Sequence, residues 1–352
     1  MQTLVEQFSE TIRTAADAKR PLRIRGGGSK DFYGNTPAGD PLEVSAYSGI
    51  IDYEPTELVI TARAGTPLAD IEAVMRDHGQ MLGFEPPHFA GGATLGGCIA
   101  AGLSGPRRPW AGAVRDFVLG VRLLDGRGTD LRFGGQVMKN VAGYDVSRLL
   151  AGSMGTLGVI LEVSLKALPL PPAELTVCRE QPRDQAIALM NQWAGQPLPV
   201  TATCHVEKRL YVRLAGAASA VKAAAHKIGG EEVTNAAEFW RDIRNQRDLF
   251  FAGHAPLWRL SLRSTAPEPD LPGPQLVEWG GALRWLKSDA DAATIRNAAR
   301  KADGHATLFR RGKADIAAFH PLPEVLMQLH RRVKQAMDPA GILNPGRMYA
   351  EM

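Results

Sequence analysis

Cysteine is scarce in this chain. Its 352 residues include three, Cys98, Cys178 and Cys204, scattered and with no C-x-x-C pair. An iron–sulfur cluster or structural zinc held by this chain alone is thereby excluded, and a reducing compartment fits best. Long apolar runs are missing as well. None approaches the roughly 18 residues of a membrane helix, so any membrane contact is expected to go through a partner. A secretory signal is lacking too: Glu6 and Glu10 break up Leu4, Val5, Phe8 and Ile12, which reads as an amphipathic helix. Charge is balanced, with 41 Lys and Arg against 37 Asp and Glu, and no block of one sign occurs. Aromatics, 7% of the chain, do not alternate with basic residues. Nucleic acid is therefore not an expected partner, whereas the net charge of +4 suits an anionic ligand. What remains is a soluble cytoplasmic protein of about two domains, at roughly 100–200 residues per domain.

Glycine is what the chain has in quantity. Gly91-Gly92-Ala93-Thr94-Leu95-Gly96-Gly97-Cys98-Ile99-Ala100-Ala101-Gly102-Leu103-Ser104-Gly105 interleaves glycines with apolar residues. Glycines this dense forfeit packing and cost backbone entropy, so an ordered segment whose main chain must touch a ligand is expected here. A second cluster, Arg25-Gly26-Gly27-Gly28-Ser29-Lys30, follows the strand-like Pro21–Ile24 and reads as a phosphate nest: converging N–H groups, a hydroxyl and a cation. The spacings of a Walker loop and of a Rossmann fingerprint are both absent. A third cluster is Gly152-Ser153-Met154-Gly155-Thr156-Leu157-Gly158. His88 stands at the mouth of the long run, where a ligand role and a solvated loop histidine are equally open.

Strands are expected at Leu58–Ala62, Val114–Gly126, Thr129–Phe133 and Val159–Ala167, with Thr66 capping a helix whose first residue is Pro67. The prolines at 169, 171 and 172 close the first half. Beyond them glycines thin out, and Ala-rich helical stretches alternate with strands such as Leu210–Leu214 and Leu257–Leu262, the pattern of an α+β cap. Trp279–Leu286 reads as a strand with Arg284 on one face, either a surface ion-pair former or an anion ligand. The turn-rich Asp338–Met348 is expected to strap back onto a domain.

Arg25–Ser29, Gly65–Leu68, Thr94–Ala100, Arg115–Gly120, Gly152–Gly158 and Asp338–Arg347 occur in the order found in the vanillyl-alcohol oxidase and p-cresol methylhydroxylase (PCMH-type) superfamily. The chain resembles that superfamily's FAD-binding fold. Gly102–Trp110, Val137–Asp145, Trp279–Leu286 and Asn344–Glu351 extend the match, and the whole chain is similar to the E-subunit family of bacterial glycolate oxidases. The resemblance implies an α+β protein: a PCMH-type FAD-binding domain of two α/β subdomains at 1–172, an α+β cap with an antiparallel sheet at 173–335, and a strap at 336–352. It also implies FAD held by Arg25, Gly26, Gly27, Gly28, Ser29 and Lys30, with Gly96 and Gly97 opposite. Thr94, Ile99, Ala100, Gly105, Gly155, Gly158 and Ile160 would line the rings, and Asn344 would reach the flavin from the strap. Covalent members carry a flavin-linking His where this chain has Ser29, so the FAD is expected to be non-covalent. Implied partners are a related flavoprotein subunit that oxidises a 2-hydroxy acid such as glycolate, and an iron–sulfur subunit, with any inner-membrane contact made through them. The paired-histidine, metal-associated signature of the catalytic subunits is absent, so no metal is expected. Chemistry by this chain itself would fall to Arg107, Arg108 or Arg284 as carboxylate clamp and to His88 or His305 as base. An autonomous hydroxy-acid dehydrogenase and a scaffold that has lost FAD remain open alternatives.

Overall fold

The computed structural model describes residues 1–135, 145–312 and 316–352, so residues 137–144 of the expected Val137–Asp145 motif lie outside the description. The chain forms two compact units, one of Met1–Leu103, Ala113–Pro169 and Pro321–Met352, the other of Ser104–Gly112 and Leu170–His320. These bounds differ from the expected ones at 104–112, at 170–172 and at 321–335. Residues 104–112 group with the second unit because Trp110 packs beside that unit's core of Met190, Trp193 and Leu214. Helix Glu324–Met337 groups with the first unit because Lys334 bonds the carbonyls of Thr156 and Leu343 there.

In the first unit, helix Gln2–Asp17 presents Val5, Phe8, Ile12 and Ala15 on one face. That spacing of three and four residues is what burying one stripe requires. The stripe packs on Leu22, Leu42, Val44, Leu124, Val159, Leu161 and Leu343. Strands Leu22–Arg25 and Asp40–Glu43 run parallel, and Leu343 of the strap bridges Leu22 in parallel. Beside them a five-stranded antiparallel sheet takes the order Ile50–Glu54, Val59–Arg63, Val159–Lys166, Val118–Leu124, Asp130–Gly134. Its central strand, Val159–Lys166, is buried almost throughout. Two local expectations change. Val114–Phe117 is a helical turn, not strand, because Asp116 accepts the Ala113 N–H at 2.8 Å and caps it. Pro67 occupies the N-cap of helix Leu68–Asp77, and Thr66 instead accepts the Gly49 N–H at 2.9 Å.

The second unit is built on an eight-stranded antiparallel sheet. Helices Arg183–Ala194 and Ala218–Ile228 bury Ala186, Met190, Val221 and Ala224 against one part of it. Helix Ala292–Lys301 buries Ile295 and Ala299 against another. Trp279–Gly281 is not strand as expected but a tight turn. Trp279, Gly280 and Gly281 all have positive φ, which no strand accommodates, and the strand begins at Leu283.

Candidate cofactor-binding site

A solvent-open cleft of about 110 Å³ lies within the first unit. One wall grows out of strand Leu22–Arg25. Gly28, at φ +72, turns the chain so that Asp31 N–H reaches back to the Gly28 carbonyl at 3.1 Å. The N–H groups of Gly26, Gly27, Gly28 and Ser29 find no acceptor among the described residues. Backbone donors are seldom left so, and four in succession suit an anion with several oxygens.

The opposite wall is helix Leu95–Ala101, capped by Thr94. Here the expected role changes. Gly96 N–H is spent on the Ala64 carbonyl at 2.7 Å and Gly97 N–H on Thr94 Oγ1 at 3.4 Å. Both glycines line the cleft, but they offer bare surface instead of free donors. The two walls touch: a Cβ on Gly27 would overlap the Gly92 carbonyl, and one on Gly26 would lie 2.6 Å from Thr94 Oγ1. Ala100, Gly155, Gly158, Ile160 and Asn344 complete the set brought to this cleft, with Arg25, Lys30 and Thr94. Ile99 and Gly105 are not brought there. Ile99 is wholly buried, and Gly105, in the second unit, accepts the Trp279 indole N–H at 3.0 Å.

Asn344 has φ +43, a left-handed conformation that asparagine tolerates better than most residues. Its side chain is already engaged, accepting from Ile24 N–H at 2.8 Å and donating to the Met154 carbonyl at 2.7 Å. It borders the cleft as a tie between strap and walls. Arg347, which also borders it, donates to the carbonyls of Asn35, Lys30 and Asp31. Sequence reading gave Arg347 no role. Its place in the turn-rich strap was the one available signal. Arg25 pairs with Asp31 at 3.0 Å and with Glu43 at 3.5 Å. Lys30 is different. It is 9% exposed, its Nζ lies 3.3 Å from Ser29 Oγ and 5.7 Å from the centre of the Phe89 ring, and burial pulls its pKa down. The thiol of Cys98 nearby is pushed up to about 12 by burial and stays neutral.

The five expected catalytic residues do not line this cleft. His88 Nε2 stands 3.3 Å from Glu72 Oε2, away from the lining. In the second unit Arg107 is buried against Glu174 at 3.0 Å. Arg284 corrects both readings offered for it. It is fully buried, and its guanidinium donates to the carbonyls of Gly281, Pro267 and Ala266 at 3.1, 3.0 and 2.5 Å. A guanidinium so occupied holds a loop in place and has no fork left for a carboxylate. His305 is exposed at the start of strand His305–Arg310. Arg108 lies over the Trp279 ring at 4.5 Å.

Comparison with known proteins agrees with this geometry. Residues 3–134 match the FAD binding domain family, and residues 321–348 match the C-terminal domain of FAD linked oxidases. The chain is 52% identical over 351 residues to the glycolate oxidase subunit GlcE of Escherichia coli, covering 100% of this chain and 98% of that one. It belongs to the GlcE family. Its cofactor is FAD, in keeping with the first of the two family matches. More distant relatives align over half the chain. The glycolate oxidase subunit GlcD of Bacillus subtilis is 30% identical over 174 residues, 49% of this chain and 37% of that protein. A mitochondrial D-lactate dehydrogenase of Saccharomyces cerevisiae is 29% identical over 48% of this chain and 29% of its own length. The fold is shared with 4-ethylphenol oxidase of Gulosibacter chungangensis, at a TM-score of 0.72, 14% identity, and coverage of 98% and 88% of the two chains. It is thus the α+β, PCMH-type architecture. Among the described residues no helix is long and apolar enough to cross a membrane.

Proposed function

We propose that this chain is the FAD-carrying E-type subunit of an oxidase that converts glycolate, a 2-hydroxy acid, to glyoxylate. The cleft is the observation that carries the reading: four successive amides without acceptors and a buried ammonium, in a chain that aligns with GlcE from end to end. Gly26, Gly27, Gly28, Ser29 and Lys30 would hold the diphosphate, and Thr94, Gly96, Gly97, Ala100, Gly155, Gly158 and Ile160 would pack along the rest of the molecule without side-chain obstruction. FAD, once bound, supplies an acceptor that takes a hydride and passes electrons on one at a time. Asn344 ties the strap to Ile24 and Met154, and Arg347 ties it to the Lys30 carbonyl, beside the cleft. Arg107 and Arg284 are already engaged, which favours electron relay here and substrate oxidation in a related flavoprotein subunit, with an iron–sulfur subunit as acceptor. The complex would be cytoplasmic, with any membrane contact made through its other subunits.

The absorption spectrum of the purified chain tests this. Flavin absorbance is expected, released into solution by acid precipitation because Ser29 offers no imidazole for a covalent link. Anaerobic glycolate should bleach it when the flavoprotein subunit is present. Bleaching of the isolated chain would favour an autonomous dehydrogenase. A colourless protein that takes up no added FAD would overturn the reading in favour of a scaffold.

A further inference from the structure

Lys30 presents an electrostatic problem that the protein alone does not solve. A buried ammonium normally has a carboxylate or a ring of carbonyls, because burying an unpaired charge costs several kcal/mol. Lys30 is nine-tenths buried on the wall of the cleft, and among the described residues its Nζ meets one hydroxyl, Ser29 Oγ, and one ring face, Phe89. The charged and titratable groups around it are all otherwise committed. Asp31, next along the chain, is held by Arg25. Arg347 donates to the Lys30 main-chain carbonyl. Cys98 on the facing helix is a neutral thiol, and Glu72 beyond it pairs with His88. The missing counter-charge must come from what enters the cleft.

We propose that the Lys30 ammonium is the counter-ion of the cofactor's diphosphate, so that loading of FAD is coupled to protonation of this one side chain. The inference rests on the FAD reading above and assigns to one residue a property that the amides of Gly26–Ser29 cannot provide, since amides do not titrate. In the empty cleft burial lowers the Lys30 pKa. A bound diphosphate raises it. Between the two values the empty protein carries a neutral amine and the loaded one an ammonium, so binding takes up a proton. Affinity then falls as pH rises through that window, by up to about tenfold per unit.

The test is titration calorimetry on the full chain, freed of cofactor, with three ligands: FAD, ADP-ribose, which keeps the diphosphate, and riboflavin, which lacks it. For the unaltered chain, proton uptake on binding FAD is expected as pH rises past the lowered pKa that Lys30 has in the empty cleft, measured in buffers of different ionisation enthalpy. Lys30→Met should weaken FAD and ADP-ribose by the same factor at pH 7, about 10- to 100-fold for a lost charge-assisted contact, leave riboflavin unchanged, and abolish proton uptake. Lys30→Arg keeps the charge: it should restore most of the affinity without the pH dependence, and serves if the Met variant does not fold. Equal FAD affinity and equal proton uptake in Lys30→Met would overturn this inference while leaving the FAD reading intact. No FAD binding by the unaltered chain would overturn both. A loss confined to riboflavin and FAD would move Lys30 from the diphosphate to the flavin ring and overturn the assignment.

Discussion

Gly27 and Gly97 look alike in the sequence and differ in what they tolerate. A Cβ on Gly27 would overlap the Gly92 carbonyl, so any substitution there pushes the two walls apart. At Gly97 the nearest atom to an added Cβ is Thr94 Oγ1, at 3.3 Å, a contact that a small rotation relieves. Gly97 lines the cleft, so Gly97→Asp should fold and fail to hold FAD: its carboxylate would stand in the cavity that receives a dianion. Near-native circular dichroism together with loss of flavin absorbance is the expected pair of results. Unchanged flavin content would show that the anion lies elsewhere. The same contrast separates Arg284 from Lys30. Both are buried cations, but Arg284 has three carbonyls to itself and Lys30 has one hydroxyl. Burial alone does not mark a binding residue; burial without a partner does.

The strap illustrates what an element with little regular structure can stabilise. Lys334, at the end of helix Glu324–Met337, donates to Asp338 Oδ2 at 2.6 Å and to the carbonyls of Thr156 and Leu343 at 2.9 and 2.7 Å. Asp338 in turn accepts the N–H groups of Ile342 and Leu343 at 3.2 and 2.8 Å. Every strong donor and acceptor in this buried pair is thus satisfied, and removing one partner strands the other. Asp338→Asn should cost about 3–5 kcal/mol, read as a lower urea midpoint, and should release FAD because Asn344 and Arg347 follow on the same strap. An unchanged midpoint would mean that the pair is exposed to water in solution. Such ties were not legible in the sequence. Lys334 reaches the Thr156 carbonyl 178 residues away and Arg347 reaches carbonyls 312–317 residues away, and a carbonyl carries no residue identity. Elements with continuous apolar patterns were legible: Val159–Lys166 was expected at Val159–Ala167. The errors fell at Val114 and Trp279, where a side-chain cap and consecutive positive φ values override a pattern that reads as strand. The glycine clusters were legible as a site because their spacing survives in the chain. Which of their amides are free was not, since Ala64 and Thr94 had to be in place to claim those of Gly96 and Gly97.

At the scale of the whole molecule, the residues of the cleft all belong to one of the two units, although they come from three separate stretches of chain. Residues 24–160 supply the walls, and residues 344 and 347 reach them only after the chain has built residues 170–320 of the second unit. A ligand in the cleft therefore holds the two ends of the chain together. Because each unit has its own core, unfolding is not expected to follow a single two-state transition. FAD at a hundred times its dissociation constant adds about 2.7 kcal/mol to the unit that binds it and nothing to the other. Differential scanning calorimetry with and without FAD should accordingly show one transition raised by several degrees and the other unmoved. The rise should shrink as pH climbs past the lowered pKa of Lys30 in the empty cleft, because the proton that Lys30 takes up on binding becomes harder to supply. Equal displacement of both transitions would mean that the cofactor bridges the units, and the cleft would then be only part of its site.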